Sequence, residues 1–255
     1  MEQTMSTRSQ RGRAVQTKKS GGVSRALYIA MGAAVLLVIA IAATVALQNR
    51  QTAATPGREP ARPATNVPMG RDENGFFFKG SAGAPVVVTE YSDFQCPGCA
   101  YYATALSSQF EQEYIATGKV KFVYHEYPLS GHVNGAPAAQ AARCAGEQGA
   151  DKYWAMHDYL FTNQRQWSGQ ADPRAQFVAY ARQIGLDTAA FEQCYAGNRF
   201  RDAINQAKAA GDALRIPGTP SFAVNGRLVD TTGATSVEEI YTRMRQAVDA
   251  ALGAR

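Results

Sequence analysis

Residues 93–100 read Asp-Phe-Gln-Cys-Pro-Gly-Cys-Ala and set two of the chain's four cysteines three positions apart. Two thiols at that spacing have three chemical uses: half of a zinc site, a small structural bridge, or disulfide exchange with a partner thiol. Zinc asks for a second ligand pair at comparable spacing, whereas Cys144 and Cys194 stand singly, 50 residues apart. A bridge from Cys96 to Cys99 closes so short a loop that it removes little unfolded-state entropy. Exchange is the chemistry that remains.

The flanking elements have to present such a pair. PVVVTEYSDF, from Pro85, is a β-branched apolar run that stops just before Cys96, as a buried strand does. In YYATALSSQFEQEYIATG, Tyr102, Leu106, Phe110 and Tyr114 recur every four residues and Gly118 ends the run, which predicts a helix. KVKFVYHEYP, from Lys119, alternates as a second strand, completing a βαβ unit. Cys96 then sits at the mouth of a helix, where unpaired N–H groups and the helix dipole favour a thiolate. Pro97 suits the first helical position, and Cys99 lies one turn in, able to resolve a mixed disulfide formed at Cys96.

Residues 137–214 are helical in pattern throughout. Asp172-Pro173 reads as an N-cap followed by Pro at N1, with Phe177, Ala181 and Ile184 as the apolar face and Gly185 as the stop. Asp187 caps a shorter helix, and RFRDAINQAKAAGDAL supplies another. PSFAVNGRLVD then contains Asn225-Gly226 between two apolar runs, a type I′ hairpin signal. Ser236 and Glu239 form a capping box ahead of a stripe of Val237, Ile240, Met244, Val248 and Leu252. The expected order is βαβ, a helical insertion, then ββα.

The amino-terminal quarter has a different composition. Ala26 to Leu47 carries no charge over 22 residues, and a helix of that length reaches roughly 33 Å, matching a bilayer core of about 30 Å. Signal-peptide apolar regions are shorter, about 7–15 residues, so an uncleaved signal-anchor is expected. The preceding tail has Arg8, Arg11, Arg13, Lys18, Lys19 and Arg25 against Glu2, a net +5 that equals the net charge of the whole chain. The remaining 20 basic and 20 acidic residues cancel, so the basic pI is a topology signal, and no nucleic-acid partner is expected. The positive-inside rule keeps the tail in the cytoplasm and exports the chain beyond the apolar segment, into surroundings where disulfides persist. The expected segments are a tail at 1–25, an anchor at 26–47, a Pro-rich linker at 48–75 and a folded domain at 76–255. The linker reaches some 80 Å at about 3 Å per residue.

EYSDFQCPGC after a strand, IPGTPSF before a hairpin and the helical insertion between them resemble the DsbA-like thiol-disulfide oxidoreductases, over residues of about 76 to 252. The resemblance implies an α/β thioredoxin fold with an all-helical insertion, preceded here by one transmembrane helix. It implies Cys96 as nucleophile, Cys99 as resolving thiol, Pro97 and Gly98 as the active-site dipeptide, and Thr219-Pro220 as a cis-proline loop facing the disulfide. A cis X-Pro bond exposes a backbone edge on which an extended substrate segment can pair. Glu90, six positions before Cys96, matches a strand acid that in relatives helps move the proton of the buried thiol; a solvated strand-end carboxylate is the alternative. Strongly oxidising relatives often carry His where this chain has Gly98, which removes one stabiliser of the reduced form.

Within that resemblance, Cys144 and Cys194 are expected to bond to each other; the alternatives are two buried free thiols or, last, a second redox centre. His125, His132 and His157 show no metal-ligand spacing and are expected to be packed or surface residues; a Cys-His hydrolase is disfavoured because Cys99 would capture an oxidised Cys96. Of the adjacent Tyr101 and Tyr102, at least one is expected in the core. The implied activity is that of an extracytoplasmic, single-pass membrane enzyme of bacterial type that introduces disulfides into exported proteins bearing cysteine thiols. It would need no metal or cofactor and would be reoxidised by a membrane partner of the DsbB or VKOR type. A reductase or isomerase of the same fold is the alternative, and so is a non-enzymatic holdase using the Pro220 groove. Reductive isomerases often dimerise through an added domain, for which the linker leaves no room, so a monomer is expected.

Overall fold

The computed structural model describes residues 25–51, 56–60 and 67–254. They fall into two units, Met1–Ala53 and Ala54–Arg255. The first contains helix α1 (Arg25–Gln51), along which Ile29, Val35, Leu36, Val38 and Ile41 are exposed. Among the described residues no helix is long and apolar enough to cross a membrane, so the span expected over 26–47 is not shown.

In the second unit six strands among the described residues form one mixed sheet in the order β1-β2-β4-β3-β5-β6. They are β1 (Met69–Arg71), β2 (Phe77–Lys79), β3 (Val86–Ser92), β4 (Val120–Glu126), β5 (Ser221–Val224) and β6 (Arg227–Leu228). β3 and β4 run parallel and occupy the middle; every other neighbouring pair is antiparallel. Parallel neighbours need a crossover, and the segment after Cys96 provides it. That segment begins with α2 (Pro97–Tyr101), passes through a π-helical turn at Tyr102–Leu106 and α3 (Ser107–Phe110), and ends in a second π turn at Glu111–Ile115. The helical span expected from the four-residue repeat is present, but two of its turns are wider than α.

The insertion consists of α4 (Gly135–Gly146), α5 (Ala150–Thr162), α6 (Gln164–Trp167), α7 (Arg174–Ile184), α8 (Thr188–Ala196) and α9 (Arg201–Ala213). Asp187 caps α8 by accepting the Ala189 and Ala190 N–H groups. At α7 the boundary falls one residue later than the sequence suggests: Pro173 is the N-cap, and the Asp172 carboxylate accepts the Arg174 N–H at 2.9 Å. Asn225 and Gly226 have φ of 48° and 78°, the left-handed pair that a type I′ hairpin requires. α10 (Val237–Gly253) starts at Ser236, whose hydroxyl accepts the Glu239 N–H, while the Glu239 carboxylate reaches back to the Thr235 N–H. Its Met244 and Val248 are fully buried.

The sequence reading starts the folded part near Phe76 and treats 48–75 as linker. β1 lies inside that stretch and pairs with β2 in the sheet. Earlier still, the Gly57 N–H donates to Gln183 Oε1 and the Arg58 N–H to Asn163 Oδ1, so this segment is docked on the insertion. A three-residue edge strand held by tertiary pairing has no periodicity to detect, so the pattern of apolar residues does not reveal it.

Candidate active site

β3 ends at Ser92, and Cys96, after three intervening residues, caps α2 with extended backbone (φ −72°, ψ 124°) and Pro97 at the first helical position. The intervening turn is fixed by its own side chains. The buried Asp93 carboxylate accepts the N–H groups of Gln95 at 2.8 Å and Leu129 at 2.9 Å, and lies 2.6 Å from His132 Nδ1. The Asp93 carbonyl accepts the Cys96 N–H at 3.0 Å. Gln95 accepts the Asn134 N–H at 2.6 Å and donates to the Ser168 carbonyl at 2.9 Å. From α6, Gln164 Nε2 donates to the carbonyls of Phe94 and Cys96 at 2.7 and 2.9 Å. Sequence reasoning found none of these roles. One trace was available: α4 opens on Gly135, where a Cβ would stand 2.6 Å from Asp93 Oδ1.

The loop before β5 closes over the nucleophile. The Thr219-Pro220 bond is cis, and Cys96 Sγ–H donates to the Thr219 carbonyl at 3.3 Å. Cys96 is 8% exposed, and its thiol is lowered to about 5. The largest cause is the Cys99 thiol donating to the Cys96 sulfur; the Thr219 hydroxyl and the N–H groups of Cys99 and Gly98 add to it, against a desolvation cost. Thr219 thus meets the nucleophile through its carbonyl, which accepts from the Cys96 thiol.

Cys99 is wholly buried, and burial together with its contact with Cys96 pushes its thiol well above the ordinary value. The two sulfurs are thus unequal, one an anion near neutral pH and the other a protonated reserve. Glu90 lies beneath them on β3. It is 1% exposed, and burial pushes its carboxyl up to about 8, so it is no solvated strand-end group. β3 puts Glu90 and Ser92 on one face with the core residues Val86 and Val88.

Gly98 faces the Pro220 loop: a Cβ there would stand 3.3 Å from Pro220 Cδ, slightly short, and in ordinary contact with Val237 Cγ2 at 3.4 Å and Cys96 Sγ at 3.7 Å. The dipeptide, the Pro220 loop and the start of α10 form one contact. Of the two tyrosines after the pair, Tyr102 is in the core and Tyr101 is exposed.

Cys144 of α4 and Cys194 of α8 form a disulfide with S–S 2.04 Å. In the chain-entropy picture a 50-residue loop is worth roughly 4 kcal/mol. His125 stacks on Phe76 and bonds through Nε2 to the Ala207 carbonyl, and burial lowers its pKa. His157 is buried beside Phe94, Tyr124 and Trp154. Neither these two nor His132 acts on the Cys96 thiol. Among the described residues no group of three or more His, Cys, Asp or Glu side chains could hold a metal ion.

The geometry agrees with what the chain resembles elsewhere. The thioredoxin family model matches residues 73–243. The chain is 35% identical over 162 residues to the Na(+)/H(+) antiporter NhaA 3 of Salinispora tropica, a match covering 63% of this chain and 23% of the antiporter. The chain thus spans about a quarter of that relative's length. It is 24% identical over 226 residues to a Bacillus cereus protein named "Probable disulfide bond formation protein D", covering 88% of this chain and 94% of that one. Its fold superposes on oxidised BdbD from Bacillus subtilis with a TM-score of 0.61 at 18% identity, over 78% of this chain and 99% of the other. The crossover sheet, the reactive pair after β3, the cis-proline loop and the family match converge on one assignment: the chain belongs to the thioredoxin family and resembles its DsbA-like thiol-disulfide oxidoreductases.

Proposed function

We propose that this chain is a protein thiol-disulfide oxidoreductase working as a dithiol oxidase through Cys96 and Cys99. The observation that carries the reading is the inequality of the two sulfurs. In the oxidised enzyme a substrate thiolate attacks Cys96 Sγ, the Cys96–Cys99 bond breaks, and Cys99 leaves and is protonated. A second substrate thiolate then attacks the substrate sulfur of the mixed disulfide, and Cys96 departs as a stabilised thiolate. Two substrate thiols lose two electrons and the cysteine pair gains them.

Direction depends on how well the reduced form is held. A strongly lowered nucleophile stabilises the dithiol state and makes the disulfide the stronger oxidant. Gly98 provides no imidazole, yet the Cys99 thiol, the Thr219 hydroxyl and two N–H groups lower Cys96 to about 5. The reservation raised by Gly98 in the sequence is thereby weakened. Titration of the Cys96–Cys99 couple against glutathione tests direction: a potential nearer −120 mV than −270 mV, each an approximate reference value, supports the oxidase and the reverse supports a reductase. Cys96→Ala separates exchange from a holdase, since exchange must vanish while chain binding would persist.

An extracytoplasmic placement goes with this reading, the uncharged 26–47 segment as anchor and the basic tail inside. The Cys144–Cys194 bridge suits an oxidising compartment. Exported proteins with cysteine thiols are then the substrates, and a membrane redox partner of the DsbB or VKOR type returns the pair to the disulfide. Reporter fusion after residue 50, read for export, tests the topology; a cytoplasmic reporter would overturn it.

A further inference from the structure

We propose that Asn163 and Gln183 form a clamp for peptide backbone, that residues 56–60 of the same chain are the strap it holds, and that the seated strap steadies α6, from which Gln164 positions Cys96. The clamp stands apart from the Cys96–Cys99 exchange reading; its effect on Cys96 rests on that reading.

The strap reads Pro-Gly-Arg-Glu-Pro and has no large apolar side chain to bury; Arg58 and Glu59 are exposed. Its backbone is what the insertion holds. Gln183 of α7 accepts the Gly57 N–H at 2.9 Å and donates to the Gly57 carbonyl at 3.0 Å. Asn163 accepts the Arg58 N–H at 2.6 Å and donates to the Arg58 carbonyl at 2.9 Å. Each amide takes both the N–H and the C=O of one residue, the exchange that a neighbouring strand makes at a hydrogen-bonded pair.

Selection enters at Gly57, which is buried. A Cβ there would stand 2.5 Å from Tyr180 Cε1 and 2.9 Å from Tyr180 Cδ1. Tyr180 is itself fully buried, with its ring centroid 5.6 Å from that of Tyr159, so the ring has no room to yield. The clamp therefore takes a glycine followed by a residue whose side chain stays in solvent, which describes this chain's Gly57-Arg58.

The clamp adjoins the reactive turn. Asn163 is the N-cap of α6, and its neighbour Gln164 donates to the carbonyls of Phe94 and Cys96. Four residues of helix hold no fixed place by themselves, so α6 is located by what its side chains reach. Towards its carboxyl end, Gln166 Oε1 accepts the Tyr180 hydroxyl at 3.2 Å and Trp167 Nε1 donates to the Leu160 carbonyl at 2.8 Å. At its amino end the Asn163 side chain donates to the Tyr159 carbonyl at 3.0 Å, and its other two hydrogen bonds go to Arg58. Release of the strap removes those two, one residue from the amide that fixes Cys96. The holding is balanced: four hydrogen bonds of modest net worth stand against the ordering of the strap's backbone, so one loss releases it.

The test uses the full chain, reduced, with two variants outside the reactive site. Gly57→Ala sets a Cβ against Tyr180, and Gln183→Ala deletes one amide from an exposed position. Amide hydrogen exchange should show Gly57 and Arg58 protected in wild type and unprotected in both variants. Disulfide exchange with glutathione should slow by about 3- to 10-fold in both. The Cys96 thiolate absorbance should titrate at higher pH, a change that a strap serving stability alone does not produce. A capped peptide of residues 56–60, added to Gly57→Ala at about 1 mM, the effective concentration a short linker gives, should restore rate and midpoint. The same peptide with Ala in place of Gly should restore neither. Unprotected Gly57 and Arg58 in wild type, or equal restoration by both peptides, would overturn the clamp. Lost protection with an unchanged rate and Cys96 midpoint would overturn the positioning of Cys96. Protection that disappears on dilution as the mass falls from dimer to monomer would seat the strap in a second copy and overturn the assignment within one chain. If wild type exchanges no disulfide with glutathione, the exchange reading fails, and hydrogen exchange still judges the clamp.

Discussion

Asp93 and His132 meet at 2.6 Å, Oδ2 to Nδ1, and this contact ties the turn that delivers Cys96 to the loop after β4. The carboxylate also accepts two backbone N–H groups, so one buried side chain settles the course of both loops. Asp93→Ala leaves these donors without their acceptor at about 1–3 kcal/mol each. Urea unfolding should show a loss of about 3 kcal/mol or more, with slower exchange in the fraction still folded. A loss below about 1 kcal/mol would contradict the assignment.

Thr219→Val keeps the shape of the loop and deletes a hydroxyl that helps to lower Cys96. A hydrogen bond to a charged group is worth about 1.5–3 kcal/mol, or about one to two pH units. The Cys96 thiolate absorbance at 240 nm should therefore titrate one to two units above the wild-type midpoint of about 5. The couple should become less oxidising in step. A midpoint that does not move would remove the hydroxyl from the account.

Glu90 gives a pH signature in stability. Its folded pKa, about 8, exceeds the ordinary value of 4.5 that applies to the unfolded chain, so the folded state holds the proton more tightly. The stability linked to it is fully present below pH 4.5 and is lost as pH rises through about 8. Glu90→Gln has no such titration. The stability of wild type relative to Glu90→Gln should fall between pH 4 and pH 9 by about 5 kcal/mol at most. A difference that is flat with pH in denaturant titrations of the reduced proteins would mean Glu90 is not buried as a neutral acid.

Gly98 is set by space. An added Cβ would stand 3.3 Å from Pro220 Cδ, tight by a few tenths of an ångström, with Val237 at 3.4 Å beside it, and crowding of this kind costs at the low end of about 1–3 kcal/mol. Gly98→Ala should destabilise the reduced protein by that amount, and Val237→Ala in the same chain should recover part of it. A double-mutant cycle with no coupling would show that the two positions do not share the contact.

The Cys144–Cys194 bridge is separate from the exchange pair: it joins α4 to α8, and none of the side chains acting on Cys96 comes from either helix. Replacing both cysteines by Ala should cost up to about 4 kcal/mol while leaving the Cys96 titration and the exchange rate of folded protein unchanged. A shifted Cys96 midpoint would show that the bridge tunes the site.

Much of the architecture was legible because its signals are local. The β3 run, the four-residue repeat after Cys99, Asn225-Gly226 and the Asp187 and Ser236 caps each act within a few residues of where they are written. β1 and the docked Gly57-Arg58 segment were not legible, because they are held by β2, Gln183 and Asn163, which lie outside those segments, the last two far along the chain. The two π turns escaped for a related reason: an apolar stripe does not distinguish a four-residue from a five-residue hydrogen-bond step.

By itself the sequence determined the reactive pair, its place after a strand and at a helix mouth, and hence the class of chemistry. Cysteine spacing and helix-start chemistry are properties of adjacent residues. Tertiary structure decided how that chemistry is tuned. It brought Thr219 onto Cys96 from 123 positions away, sealed Glu90 and Ser92 beneath Cys99, and joined Asp93 to His132 across 39 positions. A pKa depends on what surrounds a group in space, and burial and hydrogen bonding are fixed only once the sheet and insertion close around it.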